Sequence, residues 1–178
     1  MRYMAKTNRV QIEQDEKKIL SELVKNAKEN IDTIAKHCGF SKQKARKIIK
    51  HMEENHIIWG YTAVSDEQKQ GLQKFVLLIK KSMQKIDDET REQLISYRTN
   101  KDISELGVTV ENSYFTHGEY DWILIFTAED IVYAKKFSDI LLYKYPGMVS
   151  KANLIRVLMT LRSQHILNPD YVKLKEFL

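Results

Sequence analysis

Apolar positions recur at three- and four-residue spacing through the first third of the chain. Ile19, Leu20, Leu23, Val24 and Ala27 form one stripe and predict a helix from about Asp15 to Ala27. Asn30 is placed to cap a second helix bearing Ile31, Ile34 and Ala35, and Gly39 to end it in a left-handed backbone. Ser41 caps a third helix running to about Glu54, in which Ala45, Ile48, Ile49 and Met52 face inward. The β-branched and aromatic run His56 to Val64 then predicts a strand or short wing. Ser65 to Gly71 is polar and without period, which marks a boundary.

Beyond it the pattern alternates. Phe75 to Ile79 predicts a buried strand, and Asp87 to Tyr97 a helix with Asp87 and Asp88 as capping candidates. Val108 to Phe115 and Trp122 to Phe126 are strand-like, separated by Thr116 to Asp121. Asp130 to Tyr145 is amphipathic, with Ile131, Ala134, Phe137, Ser138, Leu141 and Tyr145 on one face and Pro146-Gly147 as its stop. Val149 to Leu161 predicts the last strand. The order β-α-β-β-α-β implies a ferredoxin-like unit, an antiparallel four-stranded sheet with two helices on one face, so the chain is α+β. Leu154, Ile155, Val157, Leu158, Met159 and Leu161 would supply both faces of that strand. Either a second subunit covers the open face, giving a homodimer or higher homo-oligomer, or the tail Ile166 to Leu178 folds over it. The expected domains are residues 1–63, a linker 64–73, a second domain 74–166 and an extension 167–178.

Composition removes several classes. With 43% hydrophobic and 10% aromatic residues the chain can build ordinary cores, which excludes wholesale disorder. The single Cys38 excludes an internal disulfide and a cysteine-rich zinc module, and fits a reducing cytoplasm. No apolar run approaches the roughly 18 residues of a membrane span, and Met1 to Lys6 lacks the apolar core of a secretory signal. His37, His51, His56, His117 and His165 show no metal-ligand spacing, and no nucleophile–base set emerges. No metal, cofactor or catalytic residue is therefore expected.

Charge is the feature that points to a partner. Residues 1–63 hold 13 Lys+Arg against 8 Asp+Glu, a surplus of +5, whereas residues 64–178 hold 16 of each. Between Asp32 and Glu53 lie twenty residues without an acidic side chain and with six basic ones. A helix pair with cations concentrated on its second member is what duplex phosphates attract. At about 100° per residue, Gln43, Lys47 and Lys50 lie opposite the apolar stripe, with Arg46 on one flank and Lys44 and His51 on the other. Base readout is expected from Gln43, Arg46 and Lys47 near the helix start, and phosphate contacts from Lys50 and His51. Ser41 and Lys42, at the helix entry, complete the expected DNA-binding set. The competing reading is a three-helix bundle with a solvated basic face.

Five motifs in order resemble the Lrp/AsnC, or feast/famine, transcriptional regulators over about residues 12–162. They are Ile19-Leu20 with Leu23, Gly39-Phe40-Ser41, Arg46-Lys47-Ile48, Gly60-Tyr61-Thr62-Ala63, and Gly118-Glu119-Tyr120-Asp121 with Trp122-Ile123-Leu124, Asp130 and Pro146-Gly147-Met148-Val149. The departures are one residue interposed in the Arg-Ile segment and His117 where Thr is usual. The resemblance implies a winged helix-turn-helix joined to a ferredoxin-like effector domain, oligomers that bind palindromic double-stranded operators, and an amino-acid effector held at the turn His117, Gly118, Glu119, Tyr120 and Asp121. In that reading Gly118 admits close ligand approach and Asp121 accepts from an amino group. The alternative for Asp121 is a plain hairpin turn. Two other functions remain open: a sirohaem-decarboxylase-like enzyme, for which the basic third helix would be unneeded, and a ligand-sensing protein that does not bind DNA.

Overall fold

A computed structural model describes residues 2–85, 87–95, 105–145 and 147–178. The end of the expected helix at Tyr97 and the stop at Pro146 lie outside them. Contacts divide the chain into two compact units. The first comprises Met1–Val64 with Arg162–Pro169, and the second Ser65–Leu161 with Asp170–Leu178.

The first unit holds α1 (Arg2–Lys25), α2 (Ile31–Cys38) and α3 (Lys42–Glu54). Local chemistry sets α2 and α3. Asn30 accepts the Asp32 N–H at 2.9 Å, Gly39 takes φ +71° at the end of α2, and Ser41 accepts the Lys44 N–H at 3.2 Å. Ile19, Leu23, Ile34, Ala35, Ala45 and Met52 are buried together, with Leu20, Ile48 and Ile49 packed against them.

Three expectations for this unit are corrected. The first helix begins at Arg2 rather than near Asp15, because no Gly or Pro precedes Gly39 and i,i+4 pairs such as Arg9–Glu13 support the added turns. Val24 is 51% exposed, and Ala27 lies past the helix end, so neither belongs to the buried stripe. His56 to Val64 forms no strand: its backbone folds back on α3 through Ile57 and Ile58 N–H to Met52 O, leaving Trp59 93% exposed. Hydrogen-bonded strands in this unit are the two-residue pair β5 (Arg162–Ser163) and β6 (Ile166–Leu167).

The second unit contains β1 (Gln73–Lys81), α4 (Asp88–Ile95), β2 (Thr109–Phe115), β3 (Trp122–Ala128), α5 (Ile131–Lys144) and β4 (Val149–Arg156). The sheet order is β2-β3-β1-β4, with all pairs antiparallel, as the ferredoxin-like pattern requires. Period-two alternation sends Phe75, Leu77 and Ile79 of β1 and Trp122, Leu124 and Phe126 of β3 to one face. There they meet Ala134, Phe137 and Leu141 of α5. Asp130 caps α5 by accepting from Val132 and Tyr133 N–H. Ile131 is 48% exposed and so lies outside the buried face assigned to it. The last strand ends at Arg156; the Val157 N–H still donates to Lys74 O at 2.9 Å, but residues 157–161 are not strand, and Leu158 is 57% exposed. On the sheet's other face Val76, Leu78, Ile123 and Ile125 are half-buried and Ile155 is 47% exposed.

Candidate nucleic-acid interface

The expected DNA-binding residues are all exposed along α3 and its cap: Ser41, Lys42, Gln43, Lys44, Arg46, Lys47, Lys50 and His51. Their tethering, however, divides them. Lys42 Nζ pairs with Asp32 Oδ2 at 2.6 Å, Lys50 with Glu54 at 3.6 Å, and His51 Nδ1 with Glu16 Oε1 at 3.0 Å. Lys44 Nζ pairs with Asp15 Oδ2 at 2.6 Å and stands 4.2 Å from the Phe40 ring centroid. Among the described residues, Gln43, Arg46 and Lys47 make no side-chain hydrogen bond or ion pair within the chain. Their donors are therefore open to an external acceptor on the face opposite Ala45 and Met52.

The Asp15–Lys44 pair is the best-built polar contact of the unit. Asp15 is 6% exposed and also accepts from Gln11 Nε2 at 2.9 Å. The Lys44 hydrogen bond holds its carboxyl below the ordinary aspartate range, outweighing burial, which acts in the opposite direction. Lys44 is thus turned toward α1, and its role is to anchor the start of α3. The Phe40 ring lies within cation–π range of both Lys44 and Lys18, whose ammonium is 5.7 Å from its centroid, and so helps to hold the Lys44 side chain. Sequence reasoning missed Asp15 and Phe40 as positioning residues. The signal was present, since Asp15, Ile19 and Leu23 follow at i, i+4, i+8, so Asp15 occupies a core-facing register. A second clamp joins α2 to α1, where His37 Nδ1 lies 2.7 Å from Glu22 Oε2.

Asp15→Asn should lower unfolding stability by about 1 kcal/mol, because Lys44 is half-exposed and water screens the pair. A carboxyl held low when folded contributes stability above its unfolded value of about 3.9 and loses it as pH falls through the folded value. Denaturation midpoints of parent and variant should therefore converge at acid pH; parallel curves from pH 3 to 7 would contradict the pairing.

The turn His117 to Asp121 links β2 to β3 in the other unit. His117, Gly118 and Glu119 are exposed, and a Cβ added at Gly118 would meet no atom within 4 Å. Thr116 Oγ1 donates to Tyr120 O at 2.6 Å, and Asn153 Nδ2 donates to the Tyr120 hydroxyl at 2.7 Å. Asp121 Oδ2 accepts the Lys81 N–H at 2.8 Å, across the register shift between Lys80 and Lys81. One carboxylate oxygen therefore serves the sheet, and the turn is a built corner with an open outer surface.

A family model for winged helix-turn-helix DNA-binding domains matches residues 16–58. No curated protein sequence matches the chain. Among solved structures, an AsnC family transcriptional regulator from Agrobacterium tumefaciens is 22% identical with a TM-score of 0.63, over 88% of this chain and 97% of its own. This is the fold of the AsnC/Lrp regulators. The leucine response regulatory protein of Mycobacterium tuberculosis shares it at 16% identity and a TM-score of 0.65, covering 84% of this chain and 94% of its own. A transcriptional regulator of Neisseria meningitidis, solved as an L-Met complex, does so at 18% and 0.63, covering 89% and 97%. Among the described residues no helix is long and apolar enough to cross a membrane.

Proposed function

We propose that the chain is a sequence-specific DNA-binding transcriptional regulator of the AsnC/Lrp type, not an enzyme, acting in the cytoplasm. The observation that carries this is the exposed set Gln43, Arg46 and Lys47, unpartnered among the described residues, on the second helix of a helix-turn-helix. Gln43 is suited to adenine and Arg46 or Lys47 to guanine, while Lys42, Lys50 and His51 approach phosphates at the cost of loosening their pairs with Asp32, Glu54 and Glu16. A second copy of the chain covers the apolar outer sheet face around Val76, Leu78, Ile123 and Ile125, and a two-fold dimer presents two recognition helices to palindromic half-sites. Selection of genomic fragments by the full chain, followed by anisotropy titrations over a range of salt, tests it. A recovered palindrome with affinity falling steeply in salt is expected. Binding that is absent in dilute salt, or indifferent to sequence, overturns it.

An amino acid acts as effector at the turn His117 to Asp121. The support is the open space over Gly118 and the spare Asp121 oxygen, together with the L-Met complex of the Neisseria relative. Asp121→Asn is the informative variant, because an amide oxygen can still accept the Lys81 N–H while the charge that attracts an ammonium is gone. Calorimetry against the twenty amino acids should show a response in the parent that falls at least about tenfold in the variant. An undiminished response would move the effector elsewhere.

A further inference from the structure

At one end of the second unit's sheet lies a cleft of about 360 Å³, lined by residues 67, 68, 71–74 and 156–160. It is separate from the turn 117–121. One wall is a 3-10 turn at Gln68–Gln70, closed by Leu72 N–H to Glu67 O at 2.9 Å and by Gly71 at φ +74°. The other is the continuation of β4, held to β1 by the Val157 N–H donating to Lys74 O at 2.9 Å and joined across the cleft by Gln68 Nε2 to Leu158 O at 3.3 Å.

Its charges are unusual for so small a space. Lys74, with its side chain 12% exposed, bridges Glu67 and Glu111, the latter at 2.9 Å. Burial opposes charging Lys74, yet the two carboxylates hold its pKa above the ordinary lysine value. Two carboxylates to one ammonium leave that cluster net negative. Arg156 also lines the cleft and, among the described residues, makes no ion pair; it is a planar donor fork without a carboxylate. Leu72, Val157 and Met159 supply apolar surface. The volume is at the small end for ligand sites, which suits a compact metabolite and excludes a nucleotide or a helix.

We infer that this cleft binds a small carboxylate with a compact apolar body, its carboxylate on Arg156 and its body against Leu72 and Met159. Residues 67, 68 and 71–74 form one wall and 156–160 the other, and Lys69 Nζ ties Asp170 to the 3-10 turn of the first wall at 3.2 Å.

The test needs no DNA, so its outcome is independent of the DNA-binding reading. The full chain, labelled at methionine methyls, is titrated with 4-methylpentanoate and separately with L-leucine, the Met159 resonance being assigned through Met159→Leu. A saturable shift of the Met159 methyl is expected with at least one probe, and Arg156→Gln should weaken it about tenfold or more. Preference for leucine would mean that the Glu67 side reads the ammonium; equal affinity would mean that carboxylate and apolar body suffice. A Met159 signal unmoved by both probes up to about 10 mM overturns the inference. So does a shift that Arg156→Gln leaves intact while the variant's circular dichroism matches the parent.

Discussion

The Arg46→Ala/Lys47→Ala double variant should lose specific DNA binding while melting like the parent. Each side chain is exposed and, among the described residues, pairs with nothing inside the molecule, so removing it costs the fold little. A base contact is worth about 1–3 kcal/mol, so each single change should weaken the selected operator by about fivefold to more than a hundredfold, and the double more than either. Lys42→Ala and Lys50→Ala provide the contrast. Both cations already spend part of their interaction on Asp32 and Glu54, so smaller losses are expected, spread evenly over sequences. Anisotropy titrations at fixed salt measure all five. Should the double variant bind like the parent, the exposed face of α3 is not what meets the duplex.

The second large effect concerns stability. Phe126 is fully buried between two partners, stacked at 5.6 Å centroid distance on Phe75 and edge-on at 4.7 Å to Phe137. Its truncation removes the ring that joins β1, β3 and α5 and leaves a cavity at the centre of the sheet. Phe126→Ala should therefore cost about 3–5 kcal/mol, a large share of the stability of an ordinary domain. Denaturant unfolding followed by near-ultraviolet circular dichroism measures it. A loss below about 1 kcal/mol would contradict the packing of α5 on the sheet.

Legibility in the sequence followed the range of the forces involved. Asn30, Gly39 and Ser41 act on the backbone within four residues of themselves, and the bounds of α2 and α3 could be read from them. The compact apolar runs at 75–79 and 122–126 foretold β1 and β3 because a short, continuous apolar stretch bounded by polar turns marks a strand, and the alternation of their burial shows only in the fold. What depended on distant partners was not legible. His56 to Val64 has the composition of a strand, but a strand exists only where another pairs with it, and here the backbone turns back on Met52 instead. The long start of α1 carries no apolar period, so only the absence of breakers and the i,i+4 pairs betray it. The same holds for the site. Helical periodicity placed Gln43, Arg46 and Lys47 on the open face. It placed Lys44 there as well, because nothing local reveals that Asp15, 29 residues earlier, takes its ammonium.

That contact bears on protein engineering. Residues 42–54 transplanted alone into a foreign winged helix would arrive with Lys44 unanchored and the helix free to settle at another angle to its host. A recipient given Asp15 and Phe40 as well should read the original operator, whereas the bare segment should merely stick to any duplex. If α3 reads DNA as proposed, transferable specificity would belong to a three-part module scattered along the chain, and a chimera that includes only its contiguous part would inherit the charge but not the aim.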